Sequence, residues 1–378
     1  MEENLRDWVT LGLILTTHPR MKAPDQSFSA APGARVARLL ERLEKALALR
    51  PREGRDIFSG DFPDWADKEI RAARNAGVSI VTWEDAAYPA GLRNLPDPPP
   101  FLYVRGDLLP CDADAVAVVG SRKATPYGLS VARRIAGQLA SAGLTVVSGL
   151  ARGIDTAAHQ GALQAGGRTI GVLGSGIDIV YPRENRRLFE RVPGCGAVVT
   201  EFPFGTAPLQ WNFPIRNRII AGLSGTVLVV EAARDSGSLI TANLAADTLG
   251  LPVGAVPGPI TSRASEGCND LIYDGASPVR SVEDVIYVLP PGARQRVERR
   301  AVAGKSDADV FQDNRRVSGL DEAARRVLRS LSLEVPRSAD ELARSTKLAS
   351  GAVLGHLLEL EIRGLADQLP GGLYISRH

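Results

Sequence analysis

At 378 residues the chain has room for two or three domains, and its 44% hydrophobic and 23% charged content is that of a globular protein. A net charge of +2 excludes a chain that is basic throughout, so any anion site must come from local clustering. Cys111, Cys195 and Cys268 lie far apart without metal-type spacing, which excludes a disulfide framework or a zinc site and points to a reduced, cytoplasmic protein. The acidic start Met1-Glu2-Glu3 has no signal-peptide pattern, and no apolar run approaches the ~18 residues of a membrane span.

Residues 1–87 read as a small helical domain. Val36, Leu39, Leu40, Leu43 and Leu47 follow the rhythm of one buried helix face, and a second helix is expected from Asp64 to Ala76, stopped by Gly77. Val78 to Trp83 follows as a strand. Tyr88 to Asp107 carries Pro96, Pro98, Pro99 and Pro100 and is read as a proline-rich connection excluded from central strand pairing.

From Val116 strands and helices alternate. Val116–Val119 leads into Gly120-Ser121-Arg122. Thr145–Ser148 leads into Gly149-Leu150-Ala151-Arg152-Gly153, and Thr169–Leu173 into Gly174-Ser175-Gly176. Each apolar run reads as a buried parallel strand, and the helical stretches between them give βαβ spacing. All three turns should therefore lie beyond the strand carboxyl ends, where ligands of open α/β sheets bind. Glycine lets backbone N–H groups approach a ligand, helix N-termini add positive dipole ends, and Arg122 and Arg152 add full charges. The expectation is a site for an extended, phosphate-bearing ligand. A dinucleotide fingerprint, a Walker A loop and a catalytic triad are all missing. His159, inside a helix beside Asp155, reads as structural. Glu201 and Glu231, at strand ends, read as capping or arginine-pairing groups.

The loop from Tyr181 to Arg218 interleaves Arg183, Arg186, Arg187, Arg191, Arg216 and Arg218 with Tyr181, Phe189, Phe202, Phe204, Trp211 and Phe213. Cations for phosphates and rings for unpaired bases are what a single-strand binder needs. Phe213-Pro214-Ile215-Arg216-Asn217-Arg218 reads as a helix start whose arginines oppose the dipole and so are expected on a ligand. Gly237-Ser238 reads as another helix N-terminus facing the same edge. The chain from 88 to 289 is then a Rossmann-like, doubly wound, mostly parallel α/β domain.

Residues 290–317 are basic, with Arg294, Arg296, Arg299, Arg300, Lys305, Arg315 and Arg316, and read as a linker. Residues 318–378 read as a winged helix: helices over Leu320–Leu331, from the capping box at Ser338, and over Ala349–Ile362, then a hairpin turning at Pro370-Gly371-Gly372. Its third helix has no Arg or Lys but has Glu359 and Glu361, and the tail carries 8 basic and 8 acidic side chains. A duplex-reading helix needs cations or amides for phosphates and base edges, so this tail is expected to contact protein rather than DNA.

The motifs 120–122, 149–159, 213–224 and 236–242, with Val256-Pro257-Gly258 and Gly267–Ile272, resemble the DprA (Smf) family of DNA-processing proteins. The resemblance covers about 88–289 and extends to the winged helix. It implies a SAM-like N-terminal domain and a cytoplasmic single-stranded DNA-binding protein of natural transformation. It further implies protection of incoming strands, loading of the RecA recombinase, dimerisation through the Rossmann-like domain, no cofactor, no metal and no catalysis. The positions so implied for DNA contact are Gly120, Ser121, Arg122, Gly149, Arg152, Gly174, Gly176, Arg183, Asn185, Arg187, Phe213, Arg216, Asn217, Arg218, Gly237 and Ser238. The domain is also similar to Rossmann-like phosphoribohydrolases, but Pro257-Gly258 runs into Pro259 and breaks their loop motif.

Overall fold

Among the described residues of the computed structural model, nine strands form one sheet. They are β1 (Ser79–Thr82), β2 (Phe101–Gly106), β3 (Ala115–Val119), β4 (Thr145–Ser148), β5 (Thr169–Val172), β6 (Gly196–Thr200), β7 (Thr226–Val229), β8 (Val253–Ala255) and β9 (Ser277–Pro278). The described residues are 2–17, 62–303, 320–331, 336–362, 365–369 and 371–376. The Val36–Leu47 helix and residues 304–317 of the expected linker lie outside them.

The strand order is β1-β2-β6-β5-β4-β3-β7-β8-β9. From β6 to β9 all pairings are parallel, and β2 joins β6, and β1 joins β2, antiparallel. The chain winds outward from β3 through β4 and β5 to β6, then returns to place β7 on the other side of β3. That reversal makes the β3/β7 crevice a topological switch point. Alternate residues of one strand face opposite layers. Ala115, Ala117 and Val119 pack with Val227, Val229 and the helix Asn212–Gly222, whereas Val116 and Val118 pack with helices Pro126–Ser141 and Ile154–Gln164. Both faces are covered, which is why these strands read as unbroken apolar runs.

Three readings change. β2 lies inside the stretch read as a proline-rich connection and is a central strand between β1 and β6. Its residues Phe101-Leu102-Tyr103-Val104 follow Pro100, so no proline interrupts the ladder. Arg186–Arg191 forms a helix within the region read as loop. Finally, Pro291–Ala303, assigned to the linker, is helical. Ala293 and Val297, one turn apart, are buried against the Val116 side of the sheet, and Arg296 clamps the buried Asp114 carboxylate at 2.6–3.0 Å. Two apolar positions four apart suffice to dock a helix whose other face is charged.

The N-terminal helices Glu2–Thr17 and Phe62–Asn75 pack on the β2–β6 end through Trp8, Leu11, Ile14, Ala66 and Ala73. Glu69 is buried there, accepting from Tyr103 Oη at 2.6 Å, Trp65 Nε1 at 3.2 Å and the Phe204 N–H at 3.0 Å.

The chain divides into compact units 1–300 and 301–378. In the second, helices Glu322–Ser330, Ala339–Thr346 and Ser350–Ile362 pack with a small sheet of β10 (Arg337–Ser338), β12 (Leu373–Ser376) and β11 (Ala366–Leu369), a winged helix. Ser338 and Glu341 close the expected capping box. The third helix buries Val353, Leu357 and Leu360 and turns Leu354 and Leu358 to solvent.

Candidate nucleic-acid interface

The parallel, neighbouring strands β3, β4 and β5 bring their following turns side by side at one edge. The first turn is braced from β7. The Ser121 N–H donates to the Glu231 carbonyl at 2.6 Å, and the buried Glu231 carboxylate accepts from Thr125 N and Oγ1, both at 2.7 Å. Glu231 thus organises the Ser121–Thr125 turn and the cap of the helix behind it. The Ile154 N–H donates to the Ser121 carbonyl at 3.2 Å and links the first turn to the second. Gly153, at φ +76°, closes this junction: a Cβ there would stand 2.2 Å from the Ser121 carbonyl oxygen.

The second turn is held from every side. Leu150 sits at φ +53°, a conformation that costs energy for a branched side chain and persists only when surroundings impose it. Its N–H donates to His159 Nε2 at 3.3 Å, and its carbonyl accepts from Asn185 Nδ2 at 2.9 Å. The Asp155 carboxylate accepts from the N–H groups of Gly149 (3.1 Å) and Ala151 (3.4 Å). Thr156 Oγ1 donates to the Ala151 carbonyl at 2.7 Å. Beneath it lies Arg216, so close that a Cβ on Gly149 would come within 2.2 Å of Arg216 Nη1.

The electrostatics follow from this burial. Burial lowers His159 to about 3, with the nearby Arg216 charge acting in the same direction, so the ring is neutral. As Nε2 accepts, Nδ1–H donates to Thr169 Oγ1 at 2.7 Å, and that hydroxyl donates to the Val146 carbonyl at 2.7 Å. Burial pulls the Arg216 guanidinium down to about 10, opposed by Asp155, so it remains a cation at neutral pH. Burial pushes Asp155 up, opposed first by Arg216 and then by the Ala151 N–H, Arg122 and the Gly149 N–H.

The exposed surface above this frame carries rings and cations. The Arg122 guanidinium lies 4.4 Å from the Phe213 ring centroid, and Phe213 lies 5.7 Å from Tyr181 with the rings inclined at 30°. Phe213 is half-buried; Arg122 and Tyr181 are exposed. Asn212 Nδ2 donates to the Gly174 carbonyl at 3.1 Å and sets the third turn beside this stack. The Gly176 N–H donates to the Thr206 carbonyl at 2.9 Å. Arg152 pairs with Glu184 on the adjoining rim, and Arg183, Arg186 and Arg187 are exposed next to them. Asn217 Nδ2 reaches the Gly237 carbonyl at 3.3 Å, and Ser238 is buried with its hydroxyl 2.8 Å from Ser236 Oγ.

Several expected contact residues sit beneath this surface. The helix begins at Asn212, so Arg216 is in its second turn, and its side chain runs inward to donate to the Val172 carbonyl. Arg218 is buried against Glu201, its nearest partner, and lies 3.2 Å from Asp97. Asn185 is also buried and also donates to Thr156 Oγ1 at 2.8 Å. Spacing along a helix gives these side chains' order but not which face the sheet covers. Of the aromatics, Phe189 and Phe202 are core, and Phe204 packs edge-on against Tyr103 at 5.4 Å, whereas Trp211 is 64% exposed. Tyr181 gains its place by stacking on Phe213, a contact between residues 32 apart that no local pattern announces.

Among the described residues no group of His, Cys, Asp and Glu could hold a metal, and no helix is long and apolar enough to cross a membrane.

Residues 79–290 match the sequence profile of DNA recombination-mediator protein A, and 312–372 that of the DprA winged helix domain. The protein Smf of Synechocystis is 38% identical over 382 residues, spanning 91% of this chain and 94% of that protein. Among solved structures, the DNA processing protein A of Streptococcus pneumoniae superposes with a TM-score of 0.59 at 34% identity, covering 76% of this chain and 95% of the other. That of Helicobacter pylori, whose structure describes a single-stranded DNA binding mode, superposes with a TM-score of 0.50 at 30% identity, covering 55% and 94%. With the profile spanning the doubly wound sheet and its strand-end turns, the chain belongs to the DprA family of DNA-processing proteins.

Proposed function

We propose that this chain binds single-stranded DNA at the strand-end edge without strong sequence preference, and delivers the coated strand to the RecA recombinase in natural transformation. The observation that carries the binding step is the Arg122–Phe213–Tyr181 stack on a rigidly braced frame. An unpaired base offers a π-face that such a ring accepts whatever its identity, and the neighbouring guanidinium answers the phosphate. Exposed Arg183 and Arg187 extend the positive rim, whereas at Gly120, Gly149, Gly174 and Gly176 the space of a Cβ is taken by Ile154, Arg216, Phe213 and Asp178, so these glycines let the turns pack and are not themselves the contact surface. Arg216, Arg218 and Asn185 act as positioning residues beneath, and Asn217 is half-buried at the surface beside Gly237. Delivery to the recombinase rests on the family relationship, as does dimerisation through the Rossmann-like domain.

The reading is of a binding protein and not an enzyme. Glu201 and Glu231, the acids at the edge, are engaged by Arg218 and Thr125 and are buried. The test is a salt series of binding to single-stranded oligonucleotides of mixed sequence, with wild type and Arg122→Ala. Loss of a phosphate contact should weaken binding at every salt concentration and flatten the log–log slope by about 0.7. Arg122→Ala binding like wild type across the series would place the site elsewhere.

A further inference from the structure

Resting on that reading of the site, we infer that Glu184 is a built-in competitor for the DNA backbone: its carboxylate occupies the Arg152 guanidinium and must release it before a phosphate can bind. Arg152 stands on the braced turn after β4, and its Nε donates to Glu184 Oε1. The two side chains are 61% and 52% exposed, so the pair lies open on the rim and is not part of the core. Its backbone is nevertheless fixed. Asn185, the next residue, is buried with its amide on the Leu150 and Ala151 carbonyls and on Thr156 Oγ1, all within or beside the Arg152 turn. Glu184 is therefore delivered to Arg152 by the same anchor that shapes the turn.

A carboxylate and a phosphodiester present similar anionic oxygens to a guanidinium fork, so the two compete for one partner. Burial does not force Glu184 to stay, because an exposed ion pair is weak and screened. It lowers the local charge of the rim by one, and so limits affinity and salt sensitivity at this contact. Arg122, whose guanidinium lies on the Phe213 face, is not held in this way by Glu184. The two strand-end arginines are thus unequal. Arg122 meets a strand directly, and Arg152 only after an exchange of partners.

The experiment is a double-mutant cycle in the full chain, read by binding to a mixed-sequence single-stranded oligonucleotide over a salt series. Glu184→Gln keeps the shape and removes the charge. It should bind about two- to fivefold tighter at low salt, the scale of an exposed ion pair, with a salt slope steeper by about 0.7. In the Arg152→Ala background, Glu184→Gln should change nothing. Unchanged or weaker binding by Glu184→Gln overturns the inference, since the carboxylate would then be neutral or itself a DNA contact. A gain that persists without Arg152 also overturns it, because it would report only general charge. If wild type fails to bind single-stranded DNA at all, the functional reading falls and this inference with it. If wild type binds and Arg122→Ala weakens it, a null result at Glu184 sinks this inference alone.

Discussion

In the proposed binding mode Arg122 supplies charge and Phe213 stacking, and the two parts can be measured separately. Phe213→Ala should cost about 1–3 kcal/mol of binding, the worth of a base–aromatic stack, with little change in salt slope. Arg122→Ala should change the slope. If Phe213→Ala flattened the slope as Arg122→Ala does, the ring would be acting only by placing the guanidinium. His159 makes a different prediction, on stability. Its unfolded pKa lies near 6.5 and its folded value near 3. Between these the unfolded chain takes up a proton and the folded chain does not, so stability is complete above about 6.5 and is lost as pH falls. The loss is about 1.4 kcal/mol for each pH unit in that window. The difference in unfolding free energy between wild type and His159→Gln, followed by denaturant titration from pH 7.5 to 5, should shrink toward low pH. A difference independent of pH would mean that the ring takes up its proton at the same pH in the folded and unfolded chain.

At the scale of elements, local sequence specifies the type of the turn after β4 and of the helix 212–222 but not the role of their side chains. Strand, glycine and helix follow one another as local rules require. That Arg216 would lie under Gly149 could not be read from either segment, because it depends on how closely the helix packs across β4 and β5. β2 shows the same limit. Its prolines were legible, but its place between β1 and β6 is a pairing across more than 90 residues, from Tyr103 to Thr200. In the winged helix the missing cations and the outward Leu354 and Leu358 agree with a protein-facing role for the third helix. Ending the chain after Arg300, the boundary of the first compact unit, should leave affinity for single-stranded oligonucleotides within about twofold, because the tail has no charge excess to release counterions. A loss of tenfold or more in a fluorescence titration would show that the tail contributes to the site.

The whole molecule is proposed to act as a dimer of its Rossmann-like domain. Leu271 and Ile272 are only partly buried at the end of the helix Glu266–Tyr273, and Tyr273 beside them is 92% exposed. This ring and the two half-covered aliphatic side chains are the proposed contact face. Sedimentation equilibrium at about tens of micromolar should show a dimer, and Tyr273→Glu should shift it toward monomer by placing a charge in the buried centre of the contact. A wild-type monomer at that concentration would remove the proposal.

The sequence by itself determined the repeating strand–turn–helix unit, the edge at which the glycine turns gather, the winged helix and the family. These follow from hydrophobic period, capping chemistry and βαβ handedness, all of which act over a few to a few tens of residues. Only the tertiary structure decided which arginines stay exposed at the edge and which are struts. Arg122 and Arg152 stand on the edge, whereas Arg216 and Arg218 carry the same charge inward to the Val172 carbonyl and to Glu201. Guanidinium chemistry is identical in all four. Exposure is set by the layers that close over a side chain, and those layers come from segments far apart in the chain.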